Sequence, residues 1–172
     1  EMAEGEFVGL VDHDDLLAPH ALALVAIEIA CHPEADLIYS DEDKIDLDGR
    51  RFGPYFKPDW NPDLMRCQNM ISHFGVYRTG LAKQVGGFRR GYEGSQDWDL
   101  ALRVIDASDA SRIRHLPYVL YHWRTVPGST STSVDAKSYA IDAGRKAVGD
   151  HLVRLGIRAE AVQLRHGHLR IR

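Results

Sequence analysis

The chain has 172 residues, of which 44% are apolar and 27% charged. That balance suits one folded domain with a real core and excludes a disordered chain. The net charge of −4 comes with no long basic block, and the longest apolar run, Ala21 to Ala30, is broken by Glu28. Nucleic acid is therefore not expected as a partner, and no run reaches the roughly 20 residues that span a bilayer.

In chain order, Phe7 to Val11 reads as a short buried strand. It runs straight into Asp12-His13-Asp14-Asp15, three carboxylates in four positions. Pro19 opens a helix that ends near His32-Pro33. Ala35 to Tyr39 is a second buried strand, which also ends in acid at Ser40-Asp41-Glu42-Asp43. Strand, helix and strand at this spacing predict a parallel pair with a right-handed crossover. Asp46-Leu47-Asp48-Gly49 is a turn. Phe52 to Leu64 carries four aromatics and three prolines, which predicts an ordered loop rather than a helix or a central strand. His73 to Arg78 alternates as a strand does, and Thr79 to Val85 is a short helix stopped by Gly86-Gly87. Ser95 is placed to cap a helix whose first turns hold Asp97 and Asp99. Ile113 to Arg124 is strand-like. Gly128 to Ser133 is a low-complexity loop, Ala136 to Leu155 an amphipathic helix, and Ala159 to Ile171 a last, weakly alternating strand. Cys31 and Cys67 lack metal-ligand spacing and read as reduced thiols, which points to a cytosolic setting.

Carboxylates this close repel one another unless water, helix N-termini or a cation offsets the charge. In open α/β sheets, sites form beyond the carboxyl ends of the parallel strands. Both acidic clusters sit at such ends. Asp12 and Asp14, two residues apart, could hold a hard divalent cation against a phosphate. The alternative is that Asp14 or Asp15 caps the following helix. Asp97, in the first turn of a helix after a glycine loop, could act as a general base. Its alternative is capping, with Asp99 and Arg103 forming an i,i+4 pair. His122 and Trp123 at a strand end are candidates for a ligand and a stacking platform, or else for surface and core.

Taken in order, "GEFVGLVDHDDLLAPHAL", "ADLIYSDEDKID", "YFKPDWNPDLM", "GGFRRGYEGSQDWDLALR", "LPYVLYHWR" and "GSTST" resemble the family 2 glycosyltransferases of the GT-A fold, in particular bacterial enzymes of surface polysaccharide and O-antigen assembly. The resemblance implies an α/β fold with a Rossmann-like, mixed and mainly parallel sheet flanked by helices. It implies an inverting, single-displacement transfer of a sugar from a nucleoside-diphosphate donor to a hydroxyl of a glycan or lipid-linked acceptor. Asp12, Asp14 and His122 would hold Mg²⁺ or Mn²⁺, and Asp12, Asp14, Asp15 and Arg124 would face the donor. Asp97 falls where the family places its base, with Gln96 in place of the usual acidic neighbour. Trp98, Asp99, Asn69 and His73 would lie on the acceptor side.

The same resemblance implies a strand–helix–strand region ahead of Glu1, so residues 1–172 read as the C-terminal part of a GT-A domain, with 136–172 its closing helix and strand. Further transferase domains in a longer chain, low activity of this part alone and self-association through an exposed sheet edge are expected with it. A lipid-linked acceptor would bring the enzyme to the inner membrane face. Two rival readings remain: a non-catalytic carbohydrate- or nucleotide-binding remnant, and a metal-dependent phosphohydrolase using Asp12, Asp14 and Asp41.

Overall fold

A computed structural model describes residues 3–125, 138–164 and 167–172. The order is β1 (Phe7–Gly9), β2 (Leu16–Leu17), α1 (Ala21–Cys31), β3 (Leu37–Ile45), β4 (Arg51–Tyr55), α2 (Pro62–Cys67), β5 (Gly75–Arg78), α3 (Thr79–Gln84), α4 (Gln96–Asp106), β6 (Ile113–Arg124), α5 (Ser138–Arg154), β7 (Ala161–Gln163) and β8 (Leu169–Ile171). The main sheet runs β1-β5-β3-β6-β2, with β4 paired to β3.

The centre of the sheet is β3. Period-2 alternation sends Leu37 and Tyr39 to one face and Ile38 to the other. The first face packs on α4 and α5 through Leu102, Val104, Val148 and Leu152. The second packs on α1 through Ala21 and Val25, together with Val76 and Leu120. Each fully buried Leu or Ile among these stabilises the fold by about 1.5–3 kcal/mol. Helices on both faces of a mixed sheet make the α/β fold that the sequence implied.

Several expectations change. β1 and β3 run in the same direction but are not neighbours, because β5 lies between them, antiparallel to both. Among the described residues, β3 and β6 form the one parallel ladder, so the sheet is mixed rather than mainly parallel. The second acidic cluster is not beyond a strand end. β3 continues through Ser40, Asp41, Glu42 and Asp43, all buried. Its register against β6 slips between Ser40 and Glu42, where the partner strand passes Pro117, a residue without an N–H to give to a ladder. Buried carboxylates in mid-strand are tolerable only when each is paired, and each of these three is.

The expected loop from Phe52 to Leu64 contains an edge strand and the start of a helix. Pro54 is admitted because β4 pairs on one side only. Pro62 enters the first turn of α2, where Asn61 accepts from the N–H groups of Asp63 and Leu64. The last expected strand is instead the separate hairpin β7–β8. Neither Asp14 nor Asp15 caps α1, whose cap position is His20. The low-complexity loop 128–133 and the first two positions of the expected closing helix lie outside the described residues.

Candidate active-site cavity

A cavity of about 970 Å³ opens past the end of β1. Its walls include Asp12, Glu42, Asn69, His73, Asp97, Trp98, Trp123 and Tyr139. The chain reaches it by a turn in which Asp15 N–H donates to the Asp12 carbonyl at 3.2 Å. The turn leaves Asp12 exposed and turns Asp15 inward. Asp15 accepts from the hydroxyl of Tyr121 and from Arg124 N–H at 2.7 Å. That hydroxyl in turn accepts from Asp12 N–H at 3.1 Å. Burial raises the pKa of Asp15 above the ordinary carboxylate value, and the two hydrogen bonds offset only part of the rise.

His73 completes this corner. Its ring stacks on Tyr121 at 4.5 Å and meets the edge of Trp123 at 5.4 Å. Asp12, Asp15 and His73 each offer one ligand atom, and these atoms lie within 4.8 Å of one another. His73 is thus on the side of the acidic turn, and Asn69, Trp98 and Asp97 line the same cavity.

His122 and Arg124 are placed differently. Along β6, Tyr121 and Trp123 turn toward the cavity and His122 turns away. Its Nδ1 lies 2.6 Å from Asp43, whose other oxygen accepts from Arg51 at 2.7 Å. His122 does not line the cavity and is not grouped with Asp12. Arg124 Nε donates to the Asp14 carbonyl at 2.6 Å, so this side chain braces the turn. The Asp14 carboxylate is half-exposed, 3.8 Å from His13.

Asp97 and Asp99 share the first turn of α4 and have opposite surroundings. Asp97 faces the cavity and accepts from Asn69 Nδ2 at 2.7 Å. Burial raises its pKa; His73, its helix N–H groups and Asn69 counter this only partly. A carboxyl with raised proton affinity is the better base. Asp99 is 1% exposed and does not line the cavity. Burial would raise its pKa too, but hydrogen bonds from Arg89 and Arg103 overcome it and hold Asp99 below the ordinary value. The expected Asp99–Arg103 pair is present at 2.7 Å. These contacts leave Asp99 no oxygen for an acceptor, because both are taken by arginines. Gln96 folds back on its loop, accepting from Gly94 N–H at 2.7 Å. The Ser95 hydroxyl does not cap α4 but donates to the Ala140 carbonyl at 2.7 Å, fastening α5 to the cavity rim. Trp98 closes the floor, its Nε1 donating to the Met65 carbonyl at 3.0 Å.

Asp41 is bound to His115 at 2.9 Å and to Lys57 N–H at 2.9 Å, away from Asp12 and Asp14. The carboxylate trio of the phosphohydrolase reading is therefore not assembled. Glu42, a member of the second acidic cluster, does line the cavity, whereas sequence reasoning missed Lys57 and Tyr121, which stand behind its wall against Glu42, Asp15 and His73. A tyrosine in a strand carries no spacing signal, and the lysine is marked only by its place beside the aromatic segment.

No protein-family model matches the chain. It is 51% identical over 154 residues to "Uncharacterized protein y4gI" of Sinorhizobium fredii, covering 90% of this chain and 17% of that protein. It is 43% identical over 156 residues to "O-antigen biosynthesis protein RfbC" of Myxococcus xanthus, covering 91% of this chain and 12% of that protein. Chondroitin synthase of Escherichia coli is 23% identical over 158 residues. The chain thus spans less than a fifth of the length of its two more similar relatives. The crystal structure of S. aureus TarS 1–349 in complex with UDP superposes with a TM-score of 0.54 at 20% identity, covering 88% of this chain and 47% of that one. The fold is therefore GT-A-like, and the chain is similar over most of its length to a segment of each of these much longer relatives. Among the described residues no helix is long and apolar enough to cross a membrane.

Proposed function

We propose that this chain carries the active-site half of a family 2, inverting glycosyltransferase acting in surface polysaccharide synthesis. Its donor is a nucleoside-diphosphate sugar and its acceptor a hydroxyl of a glycan or lipid-linked saccharide. The observation that carries this reading is the placing of Asp97, a carboxyl of raised proton affinity, on the wall of the cavity that also holds Asp12 and His73. Asp97 takes the proton of the acceptor hydroxyl while the hydroxyl oxygen displaces the nucleoside diphosphate. Asn69 holds the carboxylate in place and orients its other oxygen. One base suffices for such a displacement, and no second carboxylate is needed as nucleophile.

A divalent cation, when bound, would neutralise charge on the departing diphosphate. Asp12 and His73 fit this task, with Asp15 behind them, because two carboxylates and an imidazole form a mixed O/N donor set. Such a set suits Mn²⁺ better than Mg²⁺. Asp14, half-exposed on the same turn, faces the donor side. The UDP named with TarS and the synthase names of the relatives support a nucleotide-sugar donor here.

Calorimetric titration of UDP into the folded chain, with and without Mn²⁺, tests the reading. Mn²⁺-dependent binding is expected, lost in Asp12→Ala and His73→Ala and kept in His122→Ala. Binding that is indifferent to Mn²⁺, or that survives in both of the first two variants, would refute the assigned cation site. A folded chain that binds no UDP would favour the remnant reading.

A further inference from the structure

Lys57 is a buried charge, with a side chain 0% exposed. Nothing in the transfer reaction requires a lysine there. Its Nζ donates to Glu42 Oε2 at 2.9 Å, to the Ile71 carbonyl at 2.6 Å and to the His73 carbonyl. Glu42 uses the same oxygen to accept from His73 N–H at 2.9 Å. Both main-chain polar groups of His73 are therefore held by one buried ion pair. The pair links three separate pieces of chain: mid-strand β3, the segment after β4, and the 69–73 segment that forms a cavity wall.

That third segment carries two side chains of the site. Asn69 donates to Asp97 and, through Oδ1, accepts from Ser72 N–H at 3.2 Å. His73 stands against Asp12 and Asp15. With its ends fixed at Ile71 and His73, the segment has little freedom to move either side chain. A buried pair is a poor source of net stability, since desolvation offsets much of the attraction. Its use must then lie in specifying a position.

We propose that Lys57 and Glu42 are positioning residues, a clamp that fixes the 69–73 segment so that Asn69 meets Asp97 and His73 meets the acidic turn. The catalytic consequence rests on the reading of Asp97 as the base; the clamp itself does not. Removing it leaves the Ile71 and His73 carbonyls without their donor, and the segment is free to shift.

The test reads Asp97 directly, by NMR titration of its carboxyl carbon, and needs no turnover. In the wild-type chain, Asn69→Ala removes a hydrogen bond to the carboxylate and raises the Asp97 midpoint by about 1 pH unit. In the charge-neutral double variant Lys57→Met with Glu42→Gln, the same Asn69→Ala change is expected to move the midpoint by less than a third as much. Equal shifts in the two backgrounds, or no shift in the wild-type chain, would overturn the proposal. A merely structural role would lower the unfolding temperature and leave this coupling intact. Should the double variant not fold, amide exchange in the wild-type chain decides instead. The His73 N–H must exchange as slowly as the amides of β3, and fast exchange removes the clamp. Failure of UDP binding or of transfer would bear on the proposed function and leave these readouts unaffected.

Discussion

Asp97→Asn and Asp99→Asn alter one atom each, two residues apart on one helix, and should have opposite effects. Asp99 is the counter-charge of Arg103, which is 7% exposed. Losing one partner of a buried pair costs about 3–5 kcal/mol. Arg103 keeps the carbonyls of Val85 and Gly87 as acceptors, and Arg89 is 38% exposed in its side chain and can rehydrate. These place the cost near the lower end, about 3 kcal/mol, or a fall of about 6–12 °C in Tm for a chain of this length. The sign with pH follows from the lowered pKa of Asp99. Its contribution is present above the unfolded-state value and is lost as pH falls through the folded one. The wild type should therefore lose more of its advantage over Asp99→Asn as the solution is acidified. Asp97 is the reverse case. Its pKa is raised, so its ionised form opposes folding at neutral pH, and that cost disappears as pH falls below the unfolded-state value. Asn can still accept from Asn69 and carries no charge to desolvate, so Asp97→Asn should melt no lower than wild type. Its rate of nucleoside diphosphate release in the presence of acceptor should fall by about 10²–10⁴-fold. Thermal denaturation at pH 7 and at pH values well below the unfolded-state value of about 3.9, with that rate assay, gives both columns. A Tm loss in Asp97→Asn as large as in Asp99→Asn would refute the division of the two carboxylates into one that works and one that holds.

Gly94 sits at φ +85°, and a Cβ there would lie 2.7 Å from Ala140 Cβ and 2.8 Å from the Tyr139 ring. Gly94→Ala should therefore lift the start of α5 from the cavity rim and cost about 2–4 kcal/mol, from the left-handed backbone and the contact together; urea denaturation measures it. Tyr121→Phe removes the hydroxyl that joins Asp12 and Asp15. It should destabilise by about 1–3 kcal/mol and raise the already raised pKa of Asp15 further. The variant's deficit should therefore grow as pH rises from the wild type's folded value through the variant's higher one, read from unfolding midpoints across that range.

The sequence by itself determined the elements whose signals are local. Ile113 to Arg124 reads as a strand and is β6 to the residue. The helix before His32-Pro33 stops where proline requires it, and Asp48-Gly49 makes its turn. Asp12 and Asp97, both singled out from the sequence by their places after a strand and at a helix start, line one cavity. What only the tertiary structure decided is which of several equivalent side chains turns inward. The sequence put His122 beside the acidic turn and His73 on the acceptor side. Pairing of β6 with β3 sets Tyr121 and Trp123 toward the cavity and so turns His122 to Asp43, while the 69–73 segment, distant in sequence, delivers His73 instead. Asp99 likewise reads as a site residue until Arg89 joins Arg103, four residues along the same helix, to claim both its oxygens. The buried acids of β3 follow the same logic. Ser40 to Asp43 looks like a solvated strand end because their partners, Lys57, Arg51, His115 and His122, lie 8 to 79 residues away. Local propensity is silent about contacts made at that distance, and a carboxylate can be buried only where such contacts supply its counter-charge.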